Sequence, residues 1–456
     1  MTRFSISDLE IDNFRAVEHL EVPLHPELNV LLGDNGAGKS SLLDALSLMI
    51  SRIFPSCDYQ PRIKPLPFRL GDARVSSEMN RRGQWESVRC RESRIACKIR
   101  DIQLQMLRHH QSERVAVTGV GELVQMLEAC RSAGELIPMF AHYGPHRGAE
   151  QGERKRFGRR KIDSSKPYAA YINALCPSLD FEGFLDWFRE TESAELRQQR
   201  KDKGYTDLEL QAVRKALELF FARSEMHFTD PRFENNPMRF VMTCVNPDGS
   251  SLDLEFDQLS DGYRGMIALV ADFARRLAIL NRCCREGLNP LEGPGVLMID
   301  EIDAHLHPKW QYRVLEDLHR TFPNVQLVVT THSPEVVCST PKDSVFILHH
   351  NADGVTLSQP DQQTQANYPT AIAEDVMGVP DVLAQQVPYQ DYLRCLAAIA
   401  EGQEETEAFN DLFQSVLNHY GEGHDIVREL RARLEGQKRR RSLIERLRKE
   451  SSREAH

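Results

Sequence analysis

The chain has 456 residues, of which 41% are hydrophobic and 27% charged, and its formal net charge is −10. These values are ordinary for a globular protein of one large domain with additions, or of two to three domains, and the acidic balance argues against a general nucleic-acid binder. The ten cysteines include no C-x-x-C pair, and neither a run of eighteen apolar residues nor a signal-peptide pattern is present, so the sequence predicts a cytoplasmic protein with no membrane partner.

The first functional motif lies at residues 33–40, directly after an apolar run at 30–32 that predicts a strand. Its pattern, G-x-x-x-x-G-K-[ST], predicts a phosphate-binding loop whose backbone N–H groups surround phosphate oxygens. In such a loop Lys39 reaches the β- and γ-phosphates, and the Ser40 hydroxyl is a ligand of Mg²⁺. Residues 41–50 predict a helix whose N-terminus faces the anion. We therefore expect a nucleotide site that includes Asn35, Gly36, Gly38, Lys39, Ser40 and Ser41.

Residues 1–150 are expected to form a first strand-rich lobe, and residues 151–244 a polar, helical insertion with helices near 185–200 and 208–221. No sustained heptad pattern occurs there, so a long coiled coil is not expected. Residues 154–161 contain six basic side chains, and residues 428–449 contain ten basic against three acidic ones. Such runs are solvated surface or contacts to a nucleic-acid backbone, and the sequence leaves both interpretations open.

A second anion-binding element is predicted where residues 259–263 precede an amphipathic helix at 264–277. Ser260 offers a hydroxyl and Gly262 a bare backbone amide at the start of that helix. An ordinary helix cap is the alternative interpretation, because Ser and Asp are favoured at this position.

Two further apolar runs predict buried strands that end in chemically active side chains. Residues 296–301 end in Asp300 and Glu301, which suggests a ligand of Mg²⁺ and a base that polarises the attacking water. Residues 325–333 deliver His332, which we expect to contact the γ-phosphate. With the helix at 264–277, these runs predict a second lobe over residues 245–350.

The remaining residues, 351–456, have helical periodicity and end in the second basic run. They are expected to form a C-terminal helical region that docks a partner or a neighbouring subunit. A cap on the sheet is an equal alternative.

These motifs together resemble the soluble branch of the ABC-type ATPases, which includes RecF, the chromosome-maintenance ATPases and the overcoming-lysogenisation-defect nucleases. The matching segments are 9–15 (opening strand), 33–40 (Walker A), 259–263 (signature), 296–301 (Walker B), 302–308 (D-loop, with Asp303) and 331–333 (H-loop). The resemblance implies an α/β fold, an ABC-type P-loop ATPase head with a helical insertion and a helical C-terminal region, using ATP and Mg²⁺. It also implies a homo-oligomer in which Ser260 and Gly262 complete the site of a second head.

Some family features are harder to locate in this chain. Gln84 is the candidate for the Q-loop glutamine, and Arg147 either reaches the nucleotide from a Gly-Pro turn or lies on the surface. Tyr263 stands where transporters carry glutamine, which argues against a transporter.

The sequence lacks a credible Toprim or HNH nuclease site. A head without coiled coil, followed by a helical tail, looks similar to the PtuA-type ATPases of Septu and retron anti-phage systems. The implied function is ATP hydrolysis that controls a separate nuclease, of HNH type or, as in the PARIS system, of Toprim type. The alternatives are a DNA-repair ATPase of RecF type that acts directly on DNA, and a scaffold that binds ATP without hydrolysing it.

Overall fold

The computed structural model describes residues 4–58, 62–79, 85–111, 114–145, 165–178, 181–224, 226–234, 238–246, 248–351, 354–378 and 386–453. The strands are β1 (Ile6–Phe14), β2 (Val17–Pro23), β3 (Leu28–Gly33), β4 (Val75–Met79), β5 (Trp85–Arg89), β6 (Glu92–Ile99), β7 (Ile102–His109), β8 (Val115–Thr118), β9 (Met139–Tyr143), β10 (His227–Glu234), β11 (Arg239–Val245), β12 (Ser251–Glu255), β13 (Gly295–Ile299), β14 (Val325–Thr330), β15 (Val345–Asn351) and β16 (Gly354–Ser358). The helices are α1 (Lys39–Ser51), α2 (Val120–Ser132), α3 (Phe181–Gln199), α4 (Leu208–Phe221), α5 (Asp261–Leu280), α6 (Pro308–Gln311), α7 (Val314–Thr321), α8 (Pro334–Cys338), α9 (Pro369–Ala371), α10 (Val387–Glu401), α11 (Glu407–Tyr420) and α12 (Asp425–Arg453).

A six-stranded sheet in the order β16-β15-β3-β14-β13-β9 forms the centre of the head. Its strands pair in parallel except β16, which pairs antiparallel with β15. Every residue of β9, β13 and β14 is buried, as expected for parallel strands that are covered on both faces. Because β3, β14 and β13 are parallel neighbours, the segments that follow them leave the sheet at the same edge.

A five-stranded antiparallel sheet in the order β2-β1-β6-β7-β8 lies beside the central sheet. Leu9 and Ile11 alternate with more exposed residues along β1, the pattern of a strand with one core face. Gln326 of β14 joins the two sheets, since its side-chain amide accepts from the Ile6 N–H at 2.8 Å and donates to the Ile6 carbonyl at 2.8 Å. The antiparallel sheet is therefore joined to the central sheet by a buried side-chain amide.

The segment at 151–244 differs from its predicted form. It contains the helices α3 and α4, but also β10 and β11, which pair with β12 in a separate antiparallel sheet. The polar composition that favours a helical interpretation comes partly from ion pairs on this sheet, such as that of Arg232 with Asp230 at 3.1 Å.

The C-terminal boundary also differs. The hairpin β15–β16 belongs to the central sheet and crosses residue 350, and the first compact unit extends to Ile372. The second unit, residues 373–456, has its own core of α10, α11 and α12 around Cys395, Val416 and Leu430. Among the described residues, no helix is both long and apolar enough to cross a membrane.

Candidate functional site

The loop between β3 and α1 has the backbone that a phosphate-binding loop requires. Gly33, Gly36 and Gly38 have φ values of +145°, +85° and +102°, a region that side chains with a Cβ rarely adopt. A Cβ on Gly33 would also lie 2.4 Å from the Leu348 carbonyl oxygen. Glycine at position 33 is therefore required both by the turn and by the close approach of β15.

Lys39 lies at the centre of this loop with only 7% of its surface exposed. Its Nζ donates to the carbonyls of Gly33 at 2.6 Å and Asp34 at 2.9 Å, so the side chain folds back along the loop. Burial lowers the pKa of Lys39, and the carboxylates of Asp300 and Asp34 oppose that effect. The carboxylates of Asp300 and Asp34 are thus near enough to stabilise the charged ammonium group.

The N-terminus of α1 provides anion-binding groups. Gly38 is its N-cap residue, and no side chain caps the helix. The first amide N–H groups of a helix have no intrahelical acceptor, and the helix dipole adds positive potential there. Ser40 and Ser41 lie in this first turn, while Asn35 and Gly36 are exposed on the loop before it. The uncapped amides and the three left-handed glycines fit a bound triphosphate.

Thr330, at the end of β14, holds the two acids that follow β13. Its hydroxyl donates to Asp300 Oδ1 at 2.6 Å and accepts from the Glu301 N–H at 2.8 Å. The Asp300 N–H in turn donates to the Tyr143 carbonyl of β9 at 2.8 Å. Glu301 has a φ of +49°, so the chain leaves the strand in a left-handed turn. One buried hydroxyl therefore fixes both the carboxylate of Asp300 and the backbone of Glu301.

Asp303 is held in a similar way by Thr331, the residue that follows Thr330. Its Oδ1 accepts from the Thr331 hydroxyl at 2.6 Å and from the His332 N–H at 3.3 Å. The backbone of His332 and the Asp303 carboxylate are thus joined at the edge where β13 and β14 end. A serine hydroxyl and aspartate carboxylates are oxygen donors of the type that Mg²⁺ prefers, so Ser40 and Asp300 fit this metal.

Thr330 and Thr331 are not among the sequence-predicted site residues, although both are fully buried. The available signal is their position, since two hydroxyls stand between an apolar run and the predicted His332. Gln84, Arg147 and the basic run at 154–161 lie outside the described residues.

The segment with Ser260 and Gly262 begins α5. Ser260 is the N-cap residue, but its side chain accepts no capping hydrogen bond, which removes the support for an ordinary cap. A Cβ on Gly262 would lie 2.4 Å from the His305 carbonyl oxygen, so this turn packs directly on the segment after Glu301. Tyr263 adds a ring contact with Trp310 at a centroid distance of 4.8 Å.

Within the described residues, no hydrogen bond, ion pair or ring contact joins Ser260 or Gly262 to the loop at 33–40. The structure thus brings together Lys39, Asp300, Glu301, Asp303 and His332, and positions Ser260 and Gly262 against His305 instead.

Comparison with known proteins agrees with this architecture. A family model described as the RecF/RecN/SMC N terminal domain matches residues 5–356. The chain belongs to this family. The match and the sheet topology confirm the predicted fold class, an α/β ABC-type head with a helical C-terminal region.

The chain is also similar to individual proteins. It is 23% identical to the retron Ec83 probable ATPase of Escherichia coli, over 94% of this chain and 86% of that protein. It is 24% identical to the Septu protein PtuA of Bacillus mycoides, over 76% of this chain but only 41% of that protein. A solved SMC head bound to the C-winged helix domain of ScpA shares 14% identity at a TM-score of 0.44, covering 78% of this chain and 97% of that one. The protein is an ABC-type ATPase head related to PtuA-type defence proteins, which confirms the resemblance seen in the sequence.

Proposed function

We propose that this protein binds and hydrolyses ATP and thereby regulates a separate nuclease in an anti-phage defence complex. The observation that carries the proposal is the arrangement of three parallel strand ends, which bring Lys39, Asp300 and Glu301 to one edge of the sheet. The similarity to a retron ATPase over nearly the whole chain supports the defence setting.

In this proposal the loop amides and Lys39 bind the β- and γ-phosphates, with Asn35, Gly36, Gly38 and Ser41 forming the walls of the pocket. Ser40 and Asp300 hold Mg²⁺, which when bound neutralises phosphate charge. Phosphoryl transfer depends on positioning and charge stabilisation, so the remaining groups act by orientation. Glu301 orients the attacking water, His332 contacts the γ-phosphate, and Asp303 fixes the segment that carries His332.

The site is completed, in this proposal, by Ser260 and Gly262 of a second copy. Two observations support that assignment. The Ser260 hydroxyl accepts no capping hydrogen bond from its own helix, and among the described residues no contact joins this turn to the phosphate-binding loop of the same chain. ATP would then bridge two heads, and its binding energy would stabilise the closed dimer by mass action. The geometry of the dimer would be transmitted to a nuclease of HNH type or of Toprim type.

Light scattering of the Glu301→Gln variant with Mg-ATP tests the dimer. We expect a stable dimer, because a trapped triphosphate holds two heads together, whereas Lys39→Ala should remain unassembled in the same buffer. A Glu301→Gln protein that stays monomeric at saturating Mg-ATP would contradict the proposal.

Sequencing the neighbouring genes for an HNH or Toprim nuclease, and reconstituting the protein with the nuclease found, tests the regulatory part. Cleavage that changes between the ATP-bound and nucleotide-free states would support it. Turnover that is stimulated by DNA ends in the isolated protein, with no effect on the nuclease, would instead favour the DNA-repair alternative.

A further inference from the structure

The hairpin β4–β5 carries exposed apolar side chains that have no part in the candidate nucleotide site. The two strands form a separate antiparallel sheet that pairs with no other described strand. All five residues of β5 are exposed, and Trp85 and Met79, a directly opposed pair, retain 70% and 60% of their surface. An indole beside a thioether makes a continuous apolar patch, and such patches mark binding surfaces.

The strand register divides this hairpin into two faces of different chemistry. Side chains of directly opposed residues share a face, and successive residues alternate between faces. One face, called the Trp85 face below, consists of the pairs Val75 and Arg89, Ser77 and Ser87, and Met79 and Trp85. It carries no acidic residue, whereas Glu86 belongs to the opposite face together with Val88.

The base of the hairpin is anchored and positively charged. The Arg74 N–H donates to the Asn13 carbonyl at 3.2 Å, and the Cys90 N–H donates to the Arg74 carbonyl at 2.9 Å. A groove of about 350 Å³ lies at this base, and three arginines line it together with four other residues: Arg74, Arg89 and Arg91, with Asn13, Ser76, Val88 and Cys90. Arg74 pairs with Glu18, whereas neither Arg89 nor Arg91 forms an ion pair with a described residue.

Cationic side chains also act on His110, whose N–H donates to the Arg91 carbonyl at 2.9 Å. Burial, and then the cations Arg108 and Arg89, lower the pKa of His110. Burial and Arg108 likewise lower the pKa of Arg52. An anionic ligand at the groove would therefore be favoured electrostatically by Arg89 and Arg91.

We propose that the Trp85 face binds single-stranded nucleic acid, with a base stacked on Trp85 and phosphates bound by Arg89 and Arg91. Proteins that bind single strands combine an aromatic platform with a positive groove that follows the backbone. The Trp85 face supplies the platform, and the groove at the base of the hairpin supplies the positive charge. Five residues per strand span about 17 Å, enough for more than one nucleotide. The proposal does not depend on ATP hydrolysis, and it uses none of the residues of the basic runs at 154–161 and 428–449.

Fluorescence anisotropy of a labelled oligothymidylate, titrated with the full-length protein at low salt, tests this inference. Trp85→Ala should weaken binding about tenfold, within the range measured for base–aromatic stacking. Trp85→Phe should restore most of the affinity, because phenylalanine also presents a π-face. Arg89→Ala should weaken binding about threefold or more and reduce the dependence of log Kd on log salt by about 0.7.

Tyr368→Ala, which removes an aromatic side chain that is 78% exposed and lies outside this hairpin and its groove, is the matched control and should bind like the unmodified protein. All variants should keep the unmodified thermal midpoint and ATP turnover. The inference is overturned if Trp85→Ala and Arg89→Ala bind within twofold of the unmodified protein, if no single strand binds, or if only duplex binding is affected. It is equally overturned if the substitutions abolish binding of a protein partner and leave oligothymidylate binding intact.

Discussion

Thr330→Val offers a sharp test of how the acidic groups are positioned. The substitution keeps the shape of the side chain but removes the hydroxyl that donates to Asp300 Oδ1 at 2.6 Å and accepts from the Glu301 N–H at 2.8 Å. A fully buried N–H left without an acceptor costs about 1–3 kcal/mol, and the cost here is lower because the Glu301 N–H is only partly buried. Loss of a group that orients a metal ligand lowers metal affinity by about 10–100-fold. We therefore expect the half-saturating Mg²⁺ concentration to rise by one to two orders of magnitude, with a modest loss of thermal stability.

The assay is binding of a fluorescent ATP analogue across a Mg²⁺ titration, which reports on the site without requiring turnover. Thr330→Ser keeps the hydroxyl and should behave like the unmodified protein. Thr340→Val is the matched control, because that threonine is also fully buried but its hydroxyl bonds the Val336 carbonyl in α8. A Mg²⁺ dependence of Thr330→Val no different from that of Thr340→Val would refute the positioning role.

Two further predictions concern other parts of the head. Gly262→Ala should abolish ATP-dependent dimerisation, measured by light scattering, while leaving nucleotide binding intact, because the added Cβ would lie 2.4 Å from the His305 carbonyl oxygen. Gly71→Ala is the control and should have no effect, because a Cβ at this position has no atom within 4 Å. Burial raises the pKa of Glu209 from 4.5 to about 7, so folding opposes its ionisation and stability should fall as pH rises from about 4.5 through 7. Glu209→Gln should therefore stabilise the protein at pH 8, by at most about 3 kcal/mol for a rise of this size, and leave it unchanged near pH 4; an equal melting-temperature difference at both pH values would contradict this reasoning.

The central sheet is predictable from sequence because its strands are continuous apolar runs that each precede a reactive side chain. The small sheet β10–β12 is not, since charges along its strands hide the alternation of exposed and buried residues. Arg239, for example, pairs with Glu234 at 2.9 Å within this sheet. The predicted boundary at residue 350 falls inside the hairpin β15–β16, because the turn between these two strands also resembles the end of a lobe.

The candidate site is predictable as far as its charged and glycine residues, because phosphate and Mg²⁺ chemistry limits which residue types can serve. Thr330 and Thr331 escape that reasoning. A threonine after a buried strand has many ordinary uses, and only the pairing of β14 with β13 brings these hydroxyls to Asp300 and Asp303. The close packing of Gly262 on His305 is equally invisible, because it joins segments that are distant in sequence.

The aromatic ring of Tyr263 gives the departure from the transporter signature a structural reason. Tyr263 packs against Trp310, at 4.8 Å, and against Phe228 of β10, at 5.4 Å, while Trp310 also contacts Phe221 of α4. Glutamine could not fill this apolar space without burying its amide. Since close-packed rings transmit displacement rather than absorb it, we expect movement of the turn that carries Gly262 and Tyr263 to be accompanied by movement of α4 and β10. The insertion that contains α4 and β10 is thereby coupled to the turn that carries Ser260. Substitutions of the rings named above should therefore alter dimerisation, even though none of these rings lies in the phosphate-binding loop.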